Sequence, residues 1–217
     1  LRSRSIASLV LEAERLVAQG IVEINLVSQD STAYGRDRDD DAGLGSLMRA
    51  LAAVEGIQWI RLHYAYPIGL PIGLLEAMAE LPQVVSYLDM PLQHASGPIL
   101  KAMRRGVTRA GTERILDRVR GAVPNVALRT TFIVGFPGET EEDFEELVDF
   151  VRCQRFDHVG VFAYSSETGT PAADLVDDVP SEVKQERIAR LMAIQAAISE
   201  ERLERFVGMT VPVLITG

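Results

Sequence analysis

Apolar residues recur along this chain in two alternating rhythms, and the alternation predicts the fold class. Ile6, Leu9, Val10, Leu16 and Val17 share one face of a helix that ends at Gly20. Ile21 to Val27 then reads as a strand, leading into the polar segment Ser28-Gln29-Asp30-Ser31-Thr32. Leu44, Leu47, Met48 and Leu51 mark a second helix, and Trp59 to Leu62 a second strand. A third helix is predicted over about Leu74 to Leu81, and a third strand over Val84 to Leu88. Two helical pieces, Ile99 to Arg104 and Thr112 to Val119, precede a fourth strand from Val126 to Val134. Val159 to Tyr164 is the fifth strand. A loop rich in Gly, Pro and Asp then leads to a long helix from Ser181 to about Phe206. Alternation of this kind calls for an α/β fold with a parallel sheet and helices outside, as an open sheet or a barrel.

The sharpest local pattern is Arg129 to Leu147. Thr131 to Val134 is a β-branched and aromatic run that predicts a strand covered on both faces. Gly135-Phe136-Pro137-Gly138 breaks it with residues that permit unusual backbone angles. Thr140 is placed to cap the next helix, with Asp143 as its capping-box partner and Glu141 and Glu142 favouring the positive helix end. Parallel α/β folds bind ligands where strands open into such turns. A plain structural turn accounts for the same residues, so both readings stay open here.

Bulk composition narrows the classes. The 217 residues, 47% of them hydrophobic, suffice for one large domain. No apolar run is long enough to span a bilayer and nothing resembles a signal peptide, so no membrane partner is expected. A single cysteine excludes an internal disulfide framework and suits a reducing, cytoplasmic setting. The net charge of -9 argues against these residues alone gripping a nucleic-acid backbone. The chain opens on a helix, which leads us to expect a strand before Leu1, and Met209 to Ile215 reads as a lone strand that begins something further.

If the sheet is parallel, its carboxyl ends gather polar groups from Ser28-Gln29-Asp30, His63-Tyr64, Gln93-His94 with Ser96, and Phe162-Tyr164-Ser165-Ser166. Arg129 and Thr131 add a cation and a hydroxyl. Such a set suits a zwitterionic ligand with a flat ring. HExxH, GxSxG and Walker patterns are absent, as is an acidic quartet for a metal. Simpler roles exist for several of these residues. His94 can bond its own loop, His63 can be a satisfied strand residue, and His158 reads as surface. Cys153, among Phe150, Val151 and Phe156, reads as core, Tyr64, Tyr66 and Tyr87 as packing, and the charged run from Arg36 to Asp41 as a solvated loop.

YLDMPLQHASGPILKAMRRG (Tyr87 to Gly106) and LRTTFIVGFPGETEEDF (Leu128 to Phe144) together resemble the radical S-adenosylmethionine methylthiotransferases. INLVSQDSTAYGRD, IRLHYAYP and VGVFAYSSETGT match the same family in the same order, so the resemblance spans nearly the whole chain. PLQHAS and SQDSTAYG look like the branch that modifies an aspartate of ribosomal protein S-twelve. The tRNA branch has GQNVNAY-like and PVQSGS-like wording in those places.

The resemblance implies an open six-stranded (βα) barrel over residues 1–206, with its first strand and cluster loop not in this sequence. Residues 207–217 would begin a C-terminal TRAM-like β domain, the only route for RNA contact. It implies S-adenosylmethionine and 4Fe-4S clusters as cofactors, with an electron donor and the small ribosomal subunit or its protein S-twelve as partners. In the family, cleavage of the sulfonium bond yields a deoxyadenosyl radical that abstracts hydrogen from the substrate β-carbon before methylthio delivery. By the same resemblance Ser28 and Gln29 would meet the cofactor amine, and Gln93 and His94 the ribose or substrate. Arg129 and Thr131 would serve the carboxylate and ribose, Ile133 to Gly135 would back the adenine, and Phe162 and Tyr164 would lie nearby.

The family's CxxxCxxC loop is absent, and Cys153 matches no cluster ligand. Three other functions fit parts of the pattern. A tRNA adenosine (C2) methylthiotransferase shares the motif order. A cluster-free (βα) barrel lyase or epimerase would need a lysine or metal ligands at strand ends, whereas Lys101 and Lys184 fall on predicted helices. A cofactor-binding module without turnover is the third.

Overall fold

Five strands pair in chain order into one fully parallel sheet: β1 (Glu23–Leu26), β2 (Trp59–Leu62), β3 (Val84–Asp89), β4 (Ala127–Val134) and β5 (His158–Ala163). This is a computed structural model, and it describes residues 2–39 and 42–215. The expectations that fall on Leu1, on the end of the charged run at Asp40 and Asp41, and on Thr216 and Gly217 lie outside the described residues.

Each crossover between strands carries helix: α2 (Leu44–Ala52), α3 (Ile72–Glu80), α4 (Gly97–Ala102) with α5 (Arg109–Ala122), and α6 (Glu141–Gln154). The first helix, α1 (Ile6–Val17), precedes β1, and α7 (Ser181–Leu203) follows β5. Sequential winding of parallel strands with outer helices is the barrel type of α/β architecture. The predicted helices and the first five predicted strands form. Their bounds shift by a few residues, and α7 gives way to a short 3-10 turn, Glu204–Phe206.

Strand β4 corrects one expectation. It is not covered on both faces but alternates residue by residue. Leu128, Thr130, Phe132 and Val134 are buried against the helices, whereas Arg129, Thr131 and Ile133 are half-buried on the opposite, open face. On the helix side Phe132 meets Phe150 and Phe156 edge-on, with centroids 6.3 and 6.0 Å apart. Four fully buried phenylalanines, Phe132, Phe144, Phe150 and Phe156, therefore anchor α6 to the sheet. Truncating any one of them would cost about 3–5 kcal/mol.

The capping box forms as its spacing predicts: Thr140 Oγ1 accepts from Asp143 N–H, and Asp143 accepts from Thr140 N–H. Cys153 does not join the core. It is exposed, because Phe144, Leu147, Val148 and Val151 define the buried stripe of α6 and residue 153 lies two positions beyond it, on the far side. Residues 209–215 form no strand, and Val213 and Ile215 are 74% and 88% exposed. A segment of this kind needs a neighbouring ladder to become a strand, and among the described residues none pairs with it.

Candidate functional site

Charged residues interrupt four of the five apolar strands, and all of them fall on the open face. Glu23 accepts from Arg61 Nε at 2.8 Å, and Arg61 lies over the Tyr87 ring, 4.9 Å from its centroid. His63 packs edge-on against Tyr87 and stands 3.5 Å from Asp89. Asp89, nearly fully buried, accepts from Arg129 Nη1 at 2.7 Å. Parallel register sets the last pair, because Asp89 and Arg129 are direct partners across β3 and β4. Burial works against the Arg129 charge, but the hydrogen bond and charge of Asp89 outweigh it and raise its pKa. Burial, and then the Asp89 charge, push the Tyr87 hydroxyl up in the same way.

Above this ladder, at the carboxyl ends of the strands, a cavity of about 270 Å³ opens. Gln29, Gln93, Arg129, Thr131 and Phe162 line it, so half of the residues expected at the site meet in one place. Two of its walls are made by non-glycine residues in the left-handed region, Tyr64 at φ 56° and Gln93 at φ 72°. Such conformations cost about 1–3 kcal/mol each and persist where the surroundings impose them. For Gln93 the imposition is visible. Its N–H donates to Thr131 C=O and its C=O accepts from Ile133 N–H, both at 2.9 Å, so the backbone is clamped to β4. Its side-chain Oε1 is buried without a hydrogen-bond partner among the described residues. A buried amide oxygen at a cavity, left unpaired at a cost of about 1–3 kcal/mol, is an acceptor waiting for a donor.

The remaining expected residues sit elsewhere. Ser28 bonds Ser31 at 3.2 Å and lines a larger, mostly apolar cavity of about 610 Å³ between α1 and the β1 edge. Ile133 packs on the small cluster of Ile99, Phe136 and Tyr164, and the Tyr164 hydroxyl donates to Ala172 C=O at 2.9 Å. His94 is buried, and its Nδ1 accepts from Ser96 N–H at 3.0 Å. Its Nε2 is buried without a hydrogen-bond partner among the described residues, 3.6 Å from Glu139 Oε2. His63 pairs with Asp89 as described, and His158 is exposed.

The glycine turn is held by side chains of the same chain. Glu139, buried, accepts from Gly135 N–H at 2.7 Å and from Phe136 N–H at 3.2 Å, while Asp178 takes Gly138 N–H at 2.8 Å. The turn's donors are thus committed to the chain's own carboxylates. Arg187 neutralises Glu139 at 2.8 Å. Gly135 has φ 70°, and a Cβ there would collide with the Lys184 side chain. Lys184 itself is bound by Asp177 and donates to Tyr164 C=O at 3.3 Å, outside the cavity.

Sequence reasoning did not place Tyr66, Arg105 or Asp89 at the site. Tyr66 and Arg105 line the cavity, and Asp89 lies beneath it. Asp89 carried a readable signal, an acid closing an apolar strand. Arg105 carried none, because it enters from the turn after α4. The chain has one cysteine, and among the described residues no three His, Cys, Asp or Glu side chains cluster as a metal site would require.

Comparison with known proteins identifies the family and the fold. Residues 1–151 match the model of the radical SAM superfamily. A protein of Anaeromyxobacter sp. (strain K) described as ribosomal protein uS12 methylthiotransferase RimO is 53% identical over 216 residues, which is 100% of this chain and 46% of that protein. One from Flavobacterium psychrophilum with the same description is 51% identical over 208 residues, 96% of this chain and 48% of that protein. The chain thus spans about half the length of the curated relatives it matches. Among solved structures, coproporphyrinogen III oxidase (HemN) from Escherichia coli, described as a radical SAM enzyme, superposes with a TM-score of 0.62 at 18% identity. That match covers 96% of this chain and 49% of the other. Methylornithine synthase (PylB) gives 0.58 at 16% identity, over 86% of this chain and 52% of the other. These structural likenesses establish the fold.

Proposed function

The chain belongs to the radical SAM superfamily, and from that premise we propose that it supplies the cofactor- and substrate-binding barrel of a methylthiotransferase. The target is the β-carbon of an aspartate in ribosomal protein uS12. The observation that carries this reading is the identity of about half the residues, along the whole chain, with proteins described by that activity. The charge of -9 is in keeping with a protein rather than a bare RNA target.

The cavity fits S-adenosylmethionine. The orphaned Gln93 Oε1 accepts from a hydroxyl or ammonium, and Thr131 and Gln29 provide further partners. Phe162, 59% exposed at the rim, offers a ring face to a purine. Arg129, held by Asp89, presents its remaining donors to the ribose or carboxylate region. A 4Fe-4S cluster does not fit these residues, because it needs several thiolates and the sequence holds only Cys153, exposed on α6. What this chain does is bind, orient and exclude water. An electron donor and the small ribosomal subunit are the partners, in the cytoplasm. Among the described residues no helix is long and apolar enough to cross a membrane.

Anaerobic incubation of the intact protein with uS12 and with tRNA, followed by mass analysis of both, tests the reading. A methylthio gain on a uS12 aspartate is expected. A gain on tRNA adenosine alone assigns the other branch and refutes this one.

A further inference from the structure

One cation in the cavity has no counter-ion among the described residues. Arg105 lines the same cavity as Gln93, Arg129 and Thr131. Its Nη2 donates to Pro91 C=O at 2.7 Å, and its guanidinium lies over the Tyr66 ring, 4.7 Å from the centroid. Tyr66 in turn donates to Arg105 C=O at 2.8 Å, which fixes backbone and ring together. The Nε is buried and makes no hydrogen bond, and among the described residues no carboxylate stands within ion-pair distance. Burial lowers the pKa of this arginine, the direction expected of a desolvated and unpaired charge. Arg129 differs, because Asp89 already neutralises it.

The chain goes to some length to put Arg105 there. Helix α4 stops at a left-handed residue, Arg104 at φ 55°, and Arg105 N–H reaches back to Leu100 C=O at 2.9 Å. This is the backward bond of a Schellman helix end. It turns the chain sharply and sends Arg105 into the cavity. Desolvating a cation is unfavourable unless an anion or a full set of acceptors meets it. A planar guanidinium with donors still unpaired, Nε among them, is matched in charge and geometry by a carboxylate.

We propose that Arg105 is the carboxylate receptor of this cavity. The function proposed above allows two sources for that carboxylate: the amino-acid end of S-adenosylmethionine, or the side chain of the aspartate to be modified. Both present the same planar anion.

Two ligand pairs that differ only in the carboxylate separate these sources. S-adenosylmethionine is compared with its decarboxylated form, and a uS12 peptide bearing the target aspartate with the asparagine peptide. Each is titrated calorimetrically into the intact protein, into Arg105→Gln and into Arg105→Lys, with thermal melts confirming the fold. The wild type should prefer the carboxylate member of one pair by about tenfold or more, the size of a charge-assisted hydrogen bond. Arg105→Gln should erase that preference and leave the affinity of the carboxylate-free member unchanged, and Arg105→Lys should keep part of it. Loss in the first pair assigns the cofactor, and loss in the second the substrate. A folded Arg105→Gln protein that keeps both preferences overturns the proposal. If neither pair binds the wild type, the methylthiotransferase reading has failed, and a simple anion still decides Arg105. Propionate, but not propionamide, should shift the Arg105 side-chain signal of protein carrying isotope-labelled arginine. An unmoved signal overturns the proposal without any variant.

Discussion

Asp89 and Arg129 face one another in register on β3 and β4, and Arg129 Nη1 lies 2.7 Å from Asp89 Oδ1. The acid is almost wholly buried while the base is partly open to the cavity, so the pair delivers an oriented guanidinium to the cavity with little net charge. Asp89→Asn should leave that guanidinium half-buried and unpaired, at a cost of about 1–3 kcal/mol. Urea unfolding of the intact protein measures it. A variant as stable as the wild type would mean that the pair does not hold the sheet face together.

Arg129→Ala should weaken S-adenosylmethionine binding by about tenfold, the loss of one charge-assisted hydrogen bond. Equilibrium dialysis is the check. An unchanged affinity removes Arg129 from the cofactor site.

The two glycines of the 135–138 turn should respond differently to the same substitution. Gly138→Ala meets open space at φ 81° and should cost only the left-handed penalty, about 1–2 kcal/mol. Gly135→Ala adds a collision with the buried Lys184 side chain and should cost clearly more. Equal melting temperatures for the two variants would contradict the packing described between β4 and α7.

Asp143 joins the α6 cap to the loop of His94. Burial raises its pKa, but hydrogen bonds from Ser96 and Thr140 outweigh it, and the net shift is downward from the ordinary value of 3.8. A carboxylate depressed in the folded state stabilises above its unfolded pKa, and that contribution is lost as pH falls through the folded value. Stability should therefore decline on the acid side of about pH 4, and Asp143→Asn should flatten that limb. An acid limb identical in the variant would exclude Asp143 from it.

Most of the fold was legible because strand and helix periods alternate cleanly and Thr140 with Asp143 announces a helix start. Two regions read less well. In α7 the buried stripe is Lys184, Arg187, Leu191, Gln195 and Ile198, so polarity hid the packing face, which the ion pairs to Asp177 and Glu139 and the Gln195 bond to Phe156 C=O explain. Cys153 read as core because apolar residues flank it in sequence, but those neighbours point elsewhere on the helix. At the site, residues on β4 and β5 were readable through strand parity. Arg105 was not, since its position depends on the left-handed turn at Arg104, which no hydrophobic pattern signals. Gly135 was placed at the ligand by resemblance alone, and the carboxylate that takes its N–H, Glu139, lies four residues on, beyond what the turn pattern signals.

We propose that the cavity at the carboxyl ends of the strands holds S-adenosylmethionine through Gln93. Asparagine tolerates the left-handed backbone but falls one methylene short of the cavity. Calorimetric titration of S-adenosylmethionine into the intact protein and its Gln93→Asn variant is therefore the most direct measurement. About a tenfold loss of affinity with an unchanged melting temperature is predicted. Equal affinity in the two proteins would contradict the account.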